Sequence, residues 1–426
     1  MNSIRSIRGM HDILPAETPL WQWLERRLAD IFATYDFHEI RVPMLEQAEV
    51  FMRAIGQATD VVEKEMYAFE DRNGDQLSLR PEGTAGVVRA AIQHGLLQTP
   101  GLKVWYHGPM FRHERPQKGR QRQFHQFGAE VFGLEQAAAD AELIAMVERI
   151  WRELGLAGKV RLEINSLGDR ADRVRYRQQL VDFLEPYVDR LDADSQRRLA
   201  TNPLRIFDSK HPETQAIMAD APRLADALGE EARVHFDQVC RLLDQLGIEY
   251  RINPGLVRGL DYYCRTVFEW ITDDLGAQGT VCAGGRYDEL VAMQGGKDTP
   301  GIGFALGVER VLTLLADAGM EREQVPQVYL VSQVDIAEAL KLAERLRQEC
   351  PGLRVGMSLS GGSFKAQFKR ADRCGAALAL VLGEAELAAG EVQVKRLRSQ
   401  SADQDSVPVE ELSGYLAQLL AAEGEH

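Results

Sequence analysis

Two neighbouring segments combine arginine, carboxylate and aromatic side chains in a spacing that could bind a nucleotide. Arg112 and Glu114 lie two residues apart, and side chains two apart on a strand point the same way. The same spacing places Phe124, Gln126 and Glu130 on one face of the next strand. Arginine can hold a phosphate in two places and stack on a base. One sheet surface could therefore bind a nucleotide, although a solvated face with salt bridges explains any single residue equally well.

The loop between these segments is strongly basic. Residues 112–122 contain five basic side chains and one acidic one, in a chain whose formal net charge is −14. The basic residues are Arg112, Arg115, Lys118, Arg120 and Arg122. Because charged runs are usually just exposed to solvent, the cluster alone leaves a phosphate contact and a solvated loop both open.

Three further segments carry candidate residues. Glu82 and Thr84 stand where a helix should begin, which fits either an acidic first turn stabilised by the helix dipole or a carboxylate offered to a substrate ammonium. Arg258 precedes a strand in which Tyr262 and Tyr263 should point to opposite faces, a pattern that packing alone could explain. The third segment, Gly284 to Tyr287, has two glycines at which backbone could approach a ligand closely.

The familiar phosphate, metal and nucleophile motifs are missing from the sequence. There is no GxxxxGK(S/T) loop, and Gly301, Gly303 and Gly307 are spaced GxGxxxG, which is not a dinucleotide fingerprint. The nine histidines include no HExxH, and no GxSxG occurs. We therefore expect side chains to hold any phosphate, no protein-bound metal, and no covalent hydrolase.

Composition limits the class of protein that must position these residues. The 426 residues suggest two or three domains, with 45% hydrophobic and 27% charged residues, as in an ordinary globular protein. The acidic balance excludes a histone-like protein that coats nucleic acid. The five cysteines are odd in number and widely spaced, so we expect free thiols. The sequence shows neither a signal peptide nor an apolar run of membrane-spanning length, and we expect a cytoplasmic protein without a membrane partner.

The patterns predict two domains, 1–326 and 327–426. In the first, periodicity predicts a helix from Thr18 to Tyr35, a strand around Ile40–Met44, and a long hairpin that carries the candidate residues. A helical insertion should fill about 168–247, where glycine is scarce.

A charged stretch ending near residue 327 reads as the linker between them. The last hundred residues alternate strands with helices, which predicts a small α/β domain with a largely parallel sheet.

Taken together, the motifs resemble those of class II aminoacyl-tRNA synthetases, and within that class the bacterial histidyl-tRNA synthetase family. The resemblance covers essentially the whole chain. A helix and a strand around Pro43, the Arg112-x-Glu114 strand with Phe124 after the loop, and GIGFALGVER with Arg310 follow in the class II order. RGLDYYCRTVFEW, AGGRYDEL and LRPEGTA are similar to segments typical of the histidine enzymes. The implied fold is an α+β catalytic domain on a mainly antiparallel sheet, with a helical insertion and a C-terminal α/β anticodon-binding domain.

The resemblance implies a role in ATP binding for five residues. Arg112 would hold the α-phosphate and the substrate carboxylate. Glu114 and Phe124 would contact the adenine, and Arg310 would stack on its other side and reach the γ-phosphate. Arg258 would stand at the α-phosphate, where related enzymes use a metal ion. The three arginines are the implied catalytic residues, and adenylate formation by in-line attack needs only positioning and charge stabilisation.

The resemblance also implies the residues that select the amino acid. Glu82, Thr84 and Gln126 would hold the α-amino end of histidine. Glu130 and Tyr263 would read the nitrogens of the imidazole. The implied pocket is completed by Gly83, Tyr262 and Tyr287.

The implied reaction is the ATP-dependent attachment of L-histidine to histidine tRNA, with Mg²⁺ accompanying the ATP and with a homodimer as the assembly. Residues 327–426 contain 11 Lys and Arg against 14 Asp and Glu, a net charge of 11 − 14 = −3, which is unusual for an RNA ligand. Lys365, Lys369 and Arg373 nevertheless fall on one helical face, which is either an RNA contact or a solvated surface. The alternative to the enzyme is a non-catalytic, histidine-sensing regulatory paralogue, which would lack the C-terminal domain and some of the arginines.

Overall fold

The computed structural model describes residues 4–56, 59–117, 119–201, 203–276, 279–398 and 404–423. The chain forms two compact units, Met1–Glu321 and Arg322–His426, each with its own hydrophobic core. The division falls inside the charged stretch that we interpret as a linker. No helix within the described ranges is long and apolar enough to cross a membrane. All five cysteines are free thiols.

An eight-stranded sheet forms the centre of the first unit. The strands of this unit are β1 (His38–Glu39), β2 (Leu45–Gln47), β3 (Tyr67–Glu70), β4 (Gln76–Leu79), β5 (Leu102–Phe111), β6 (Gln123–Phe132), β7 (Arg161–Ser166), β8 (Tyr250–Ile252), β9 (Cys264–Ile271), β10 (Thr280–Arg286) and β11 (Gly301–Gly307). Within the described part of the chain, the large sheet has the order β1-β5-β6-β11-β10-β9-β7-β8, and only its outer pairs, β1 with β5 and β7 with β8, are parallel. Strands β2, β4 and β3 form a separate antiparallel sheet. The mainly antiparallel catalytic fold that we predict is thus confirmed.

Helices cover the large sheet and enclose two hydrophobic clusters. The helices of this unit are α1 (Thr18–Thr34), α2 (Ala48–Ile55), α3 (Thr84–Gln93), α4 (Ala137–Glu153), α5 (Arg170–Leu184), α6 (Ala193–Thr201), α7 (Pro212–Met218), α8 (Leu224–Ala227), α9 (Glu230–Gln245), α10 (Leu290–Met293) and α11 (Val308–Asp317). One cluster contains buried residues of α1, α4 and α11, and the other contains residues of α2, α3 and α5. Helices α5 to α9 occupy the stretch in which the sequence predicts a helical insertion.

The hairpin that carries the candidate residues is regular and long. Buried and partly buried side chains alternate along β5, so that Val104, Tyr106 and Met110 all lie on one face. Ten residue pairs join β5 to β6, from Leu102 opposite Phe132 to Phe111 opposite Gln123. On its other side β6 pairs with β11, which makes it a central strand. This pairing fixes the direction in which each candidate side chain of β6 points.

The second unit contains a five-stranded sheet with helices. Its elements are β12 (Val328–Ser332), α12 (Ile336–Glu349), β13 (Val355–Met357), α13 (Phe364–Arg373), β14 (Leu378–Leu382), α14 (Glu384–Ala389), β15 (Glu391–Arg396), β16 (Gln404–Pro408) and α15 (Leu412–Glu423). The strand order is β13-β12-β14-β15-β16. Strand β12 is parallel to both neighbours, whereas the pairs β14–β15 and β15–β16 are antiparallel. The sheet is therefore mixed, not largely parallel as the sequence suggested, because the connections around β15 are too short for crossover helices.

Candidate active site

One face of the large sheet, the face that carries Phe124 and Gln126, forms the floor of a cavity. The volume of this cavity is about 1150 Å³, including its open mouth. The walls come from the start of α3, the loop between β5 and β6, and the segment before β9. Ten of the thirteen predicted site residues line this cavity. They are Glu82, Thr84, Arg112, Glu114, Phe124, Gln126, Arg258, Tyr262, Tyr263 and Arg310.

Three predicted arginines converge on the cavity from distant parts of the chain. Arg112 donates its Nε–H to the carbonyl oxygen of Pro81 at 2.9 Å, and its guanidinium lies over the ring of Phe124, 5.3 Å from the centroid. Burial lowers the pKa of Arg112, and the nearby charge of Arg258 acts in the same direction. Burial also lowers the pKa of Arg310, with further lowering by Arg120 and Arg112. The guanidinium groups are thus close enough to repel one another, as expected where an anion is to bind.

Arg258 is held by a carboxylate at the side of the cavity. Its Nη1 donates to Oε1 of Glu269, and the other carboxylate oxygen of Glu269 accepts a hydrogen bond from the hydroxyl of Thr280 at 2.9 Å. The guanidinium also lies over the ring of Tyr263, 5.4 Å from its centroid. Although burial alone would lower the pKa of Arg258, Glu269 outweighs it and raises that pKa above its ordinary value. Arg258 therefore stays charged, and its buried Nε has no hydrogen-bond partner among the residues that the structure describes.

The loop between β5 and β6 forms another wall of the cavity, beside Arg310. Arg120 forms an ion pair with Glu114, so the two residues restrain each other. Arg310 donates its Nε–H to the carbonyl oxygen of Gly119 in the same loop, at 3.0 Å, and its Nη1 to the carbonyl oxygen of Thr280. Among the other basic residues of the predicted cluster, Lys118 lies outside the described residues. The described part of this loop is therefore tied to Arg310.

Glu82 fills the capping role that the sequence left open, and its position is compatible with the other role. Its two carboxylate oxygens accept hydrogen bonds from the backbone N–H groups of Thr84 at 2.7 Å and Ala85 at 2.8 Å, so it caps α3. It also lines the cavity, where a substrate cation could reach the lone pairs that remain. Burial raises the pKa of Glu82, and the backbone hydrogen bonds and Arg112 oppose that rise.

Three of the predicted residues lie behind the cavity wall. Glu130 is completely buried, and its carboxylate accepts hydrogen bonds from the hydroxyls of Thr84, at 2.7 Å, and Tyr287. Burial raises the pKa of Glu130 to about 8. Tyr287 is buried beside it, and Gly83 packs against the ring of Tyr106. Glu130 and Tyr287 therefore connect with the cavity through Thr84.

The two tyrosines before β9 differ from their predicted arrangement. We predicted a strand that would direct Tyr262 and Tyr263 to opposite faces, but both residues precede β9, which begins at Cys264. Their rings lie together, with centroids 4.6 Å apart, and both line the cavity. A turn before the strand brings them to one side, because the alternation of a strand does not apply there.

The two glycines of β10 lie close to neighbouring strands, where the sequence suggested a close approach to a ligand. A Cβ atom on Gly284 would lie 2.3 Å from the carbonyl oxygen of Gly303, and one on Gly285 would lie 2.6 Å from that of Thr266. The close approach is thus to neighbouring strands, not to a ligand. The next residue, Arg286, is completely buried and donates Nη2–H to Asp140 Oδ2 at 2.6 Å.

The cavity lining also includes residues that were not among the predicted site residues, and three of them have side chains that pair with or pack against predicted ones. These three are Tyr106, Arg120 and Glu269. Tyr106 follows the inward alternation of β5 and lies opposite Gly128, so the spacing of the strand was a signal for it. Arg120 was present only as one member of a charged run. Glu269 lies on β9 eleven residues after Arg258, and only the fold brings the two together.

The described residues contain no group of three or more histidine, cysteine, aspartate or glutamate side chains that could hold a metal ion. The cavity instead offers positive charge from arginine and the aromatic ring of Phe124. Its lining also contains four carboxylates, those of Glu82, Glu114, Glu269 and Glu309. Such a site can hold a phosphate chain and a base at one end and a small zwitterion at the other.

The second unit presents a separate basic surface. Lys365, Lys369 and Arg373 are exposed on α13, as their spacing predicts. None of the three forms an ion pair with another described residue of the chain. Helix α13 begins at a cap in which the hydroxyl of Ser363 accepts a hydrogen bond from the backbone N–H of Ala366 at 3.3 Å.

Comparison with known families gives one match for each unit. Residues 9–311 match the family described as histidyl-tRNA synthetase, and residues 327–419 match the family described as anticodon binding domain. The first match includes every residue that lines the cavity.

Similar proteins match over nearly the whole chain. The histidine–tRNA ligase of Alkalilimnicola ehrlichii is 59% identical, over 97% of this chain and 96% of the relative. The enzyme of the same name from Halorhodospira halophila is 56% identical, over 98% and 99%. The crystal structure of apo S. aureus histidyl-tRNA synthetase superposes with a TM-score of 0.82 at 37% identity, covering 97% of this chain and 99% of that one.

Proposed function

The chain belongs to the histidyl-tRNA synthetase family, and from this membership we propose how the side chains of the cavity divide between ATP and histidine. The activity is that of a class II histidine–tRNA ligase. Histidine and ATP give histidyl-adenylate and pyrophosphate, and the histidyl group then passes to the 3′-terminal ribose of histidine tRNA. The anticodon-binding unit and the level of identity favour this enzyme over a regulatory paralogue.

The observation that carries the proposal is the convergence of Arg112, Arg258 and Arg310 on one cavity. Arg112 holds the α-phosphate and the carboxylate of histidine, and Arg258 stands at the α-phosphate. Arg310 stacks on the adenine and reaches the γ-phosphate. Burial lowers the pKa values of Arg112 and Arg310, and neighbouring arginines lower both further. This supports the division, because a triphosphate would neutralise charges that the nearby carboxylates leave partly uncompensated.

The adenine belongs between Phe124 and Arg310, with Glu114 at its edge. Phe124 lines the cavity with the guanidinium of Arg112 over its ring, so an aromatic surface for the base lies beside a cation for the phosphates. Arg120 is the additional cation that we assign to the phosphate chain. Its ion pair with Glu114 links the base end of the nucleotide to the phosphate end.

Histidine belongs at the other end of the cavity, against α3. Glu82, Thr84 and Gln126 hold the α-ammonium group, and Glu130 and Tyr263 recognise the imidazole, with Gly83, Tyr262 and Tyr287 shaping the pocket. The buried, unpartnered Oε1 of Gln126 supports its assignment, because a buried acceptor without a donor is costly unless a ligand satisfies it. A site built to hydrogen-bond a polar side chain can reject analogues by roughly 10⁴-fold or more.

The reaction follows from positioning and charge stabilisation, without a covalent enzyme intermediate. A carboxylate oxygen of histidine attacks the α-phosphorus in line, a P–O bond forms, and the bond to pyrophosphate breaks. The three arginines stabilise the negative charge on the phosphate oxygens during this step. In the second step the ribose hydroxyl of tRNA attacks the carbonyl carbon, and AMP leaves.

Mg²⁺ enters this proposal as part of the ATP substrate. No group of acidic or histidine side chains in the described ranges fits a resident divalent ion, so we assign it no protein ligands. Arg258 supplies the positive charge at the α-phosphate.

We also propose a homodimer, in the cytoplasm, where charged tRNA is used. One face of the sheet β2-β4-β3 supports the dimer. Leu45 and Phe69 are exposed on that face, and the partly buried Tyr67, Leu77 and Leu79 lie between them. A second copy of the chain would cover these apolar side chains.

The direct test is pyrophosphate exchange into ATP with each of the twenty amino acids. We expect exchange with histidine alone. In the Arg258→Ala variant the exchange should fall by about 100-fold or more, because a charge at the transition state is lost. The exposed Arg149 pairs with Glu153 on α4, so Arg149→Ala serves as the control and should exchange normally. Wild-type-like exchange by Arg258→Ala in a folded protein would refute the role of that arginine.

A further inference from the structure

Tyr106 lies across the floor of the cavity in a slot formed by two glycines. It stands opposite Gly128 in the β5–β6 register. A Cβ atom on Gly128 would lie 2.1 Å from Cζ of the Tyr106 ring, and one on Gly83 would lie 2.1 Å from Cε2. Any larger residue at either position would displace the ring. The two glycines therefore let Tyr106 extend over β6 towards the histidine end of the cavity.

The hydroxyl of Tyr106 is buried beside Thr84 and Glu130, and its oxygen has no hydrogen-bond donor among the residues that the structure describes. Oε1 of Gln126, two residues from Gly128 on the same face of β6, is also buried without a partner. Both residues line the cavity. Thr84 is nearby, but its hydroxyl donates its proton to Glu130 at 2.7 Å. Buried polar atoms are rarely left unsatisfied in folded proteins, so two of them facing one cavity indicate a polar ligand group.

The ligand group can be identified by counting acceptors. An ammonium group has three N–H donors and no acceptor. Glu82 offers the remaining lone pairs of its carboxylate, and Gln126 offers Oε1. Thr84 lies at the same end, but its hydroxyl is already hydrogen-bonded to Glu130, so we count the oxygen of Tyr106 as the third acceptor. We propose that Tyr106 is a further histidine-binding residue, whose hydroxyl oxygen accepts a hydrogen bond from the α-ammonium group of the substrate. This inference rests on the proposed placement of histidine against α3.

The ionisation state of the phenol agrees with this role. Burial raises the pKa of Tyr106 well above its ordinary value, with Glu130 and Glu82 adding to the rise and Thr84 opposing it. The hydroxyl is therefore neutral at physiological pH, and it can accept a hydrogen bond without adding a negative charge beside the two glutamates.

The test compares two ligands and two variants by calorimetry. The ligands are histidine and 3-(imidazol-4-yl)propanoate, which lacks only the amino group. Tyr106→Phe should weaken histidine binding by roughly 10- to 100-fold, the effect of losing a hydrogen bond to a charged group. It should leave the affinity for the propanoate unchanged. Unchanged histidine affinity would overturn the proposal, and so would equal weakening of both ligands, since the hydroxyl would then act on the imidazole or on pocket shape.

Tyr176→Phe is the matched control, because Tyr176 is equally buried and does not line the cavity. Its hydroxyl donates to the carbonyl oxygen of Pro222 at 2.8 Å. We expect Tyr176→Phe to lower the unfolding midpoint and to leave histidine affinity unchanged. We expect Tyr106→Phe to lower histidine affinity and to leave the unfolding midpoint unchanged. A purely structural role for Tyr106 would instead lower the unfolding midpoint. Wild-type pyrophosphate exchange is measured alongside, and its absence would defeat the proposed function without bearing on the binding result.

Discussion

Glu130 is a carboxylate buried without a cationic partner among the described residues. Its hydrogen bonds come from the hydroxyls of Thr84 and Tyr287, which stabilise an ion less than a positive charge would. Burial consequently raises its pKa to about 8, from 4.5 in an unfolded chain. The folded protein therefore retains a proton that the unfolded chain releases between those two pH values.

This shift predicts how stability depends on pH. Because the folded state binds more protons between about pH 4.5 and 8, Glu130 makes the free energy of unfolding fall as pH rises through that window, by up to about 1.4 kcal/mol per pH unit. Glu130→Gln cannot ionise and should remove this slope. The difference in free energy of unfolding between variant and wild type should therefore shift in favour of the variant from pH 5 to pH 8.

Urea unfolding followed by tryptophan fluorescence measures this difference. All five tryptophans lie in the first unit, so the signal reports the unit that contains Glu130. The amide can lose a hydrogen bond at every pH, so the slope is the quantity to compare, not the absolute stability. A difference that stays constant from pH 5 to pH 8 would show that Glu130 ionises normally.

At the residue scale, the sequence could predict which side chains share a strand face, but not which polar groups find a hydrogen-bond or ion-pair partner. The two-residue spacing placed Phe124 and Gln126 correctly towards the cavity. It could not show that Glu130 would lie behind the wall, because that depends on Thr84 from another element. Glu269 was missed for the same reason, because its part in the site is the ion pair with Arg258 on another segment.

At the element scale, regular alternation predicted the β5–β6 hairpin, whereas the strand predicted around Ile40–Met44 is wrong. Strand β1 ends at Glu39 and β2 begins only at Leu45, so the segment between them belongs to no strand. Arg80 forms hydrogen bonds with two backbone carbonyl oxygens of this segment, in place of a neighbouring strand. Its Nη1 donates to the carbonyl oxygen of Val42 at 3.0 Å, and its backbone N–H to that of Met44 at 2.9 Å. Local pattern cannot reveal a side chain that replaces a strand partner.

The sheet β2-β4-β3 allows a test of the proposed dimer. Leu45 and Phe69 are 41% and 46% exposed on its apolar face, and a second copy would bury both. The double variant Leu45→Lys, Phe69→Lys should place two desolvated charges in that contact, and we expect it to sediment as a monomer while the wild type sediments as a dimer. Analytical ultracentrifugation across a range of concentrations measures the change.

Val174→Lys is the control for the added charge, because Val174 is an exposed apolar residue that belongs to α5 and not to that sheet. It should remain a dimer. Tryptophan fluorescence verifies that both proteins are folded. If the double variant is folded and still dimeric, the dimer contact lies elsewhere on the chain.

At the scale of the whole molecule, the two units divide the work of the ligase. Every residue of the cavity lies in the first unit, and the basic face of α13 lies in the second. Adenylate formation requires only ATP and histidine, whereas charging also requires tRNA. Because each unit has its own hydrophobic core, a surface change in the second should leave the first step intact.

The sequence could predict this division but not the mixed sheet of the second unit. The charged stretch before Gln327 signals a linker through composition, which is a local property. Strand β15 pairs antiparallel with β14 and β16 because of the connections between these strands. The residue pattern within a strand does not distinguish parallel from antiparallel pairing.

The basic face of α13 gives the last prediction. Lys365 and Lys369 are exposed one turn apart without an ion-pair partner among the described residues, so they are free to contact phosphates. The double variant Lys365→Ala, Lys369→Ala should raise the KM for tRNA and lower the salt dependence of tRNA binding by about one unit of log–log slope per lysine. Histidine-dependent pyrophosphate exchange without tRNA should not change.

Charging assays at several salt concentrations, with exchange assays in parallel, separate these effects. Lys341→Ala is the matched control, since Lys341 is an exposed lysine of α12 that is already paired with Glu338 at 2.6 Å. It should leave both reactions unchanged, because a surface ion pair contributes little. An unchanged tRNA KM in the double variant would mean that α13 is only a solvated surface. A loss of exchange would mean that the units are coupled, contrary to the division of work argued from their separate cores.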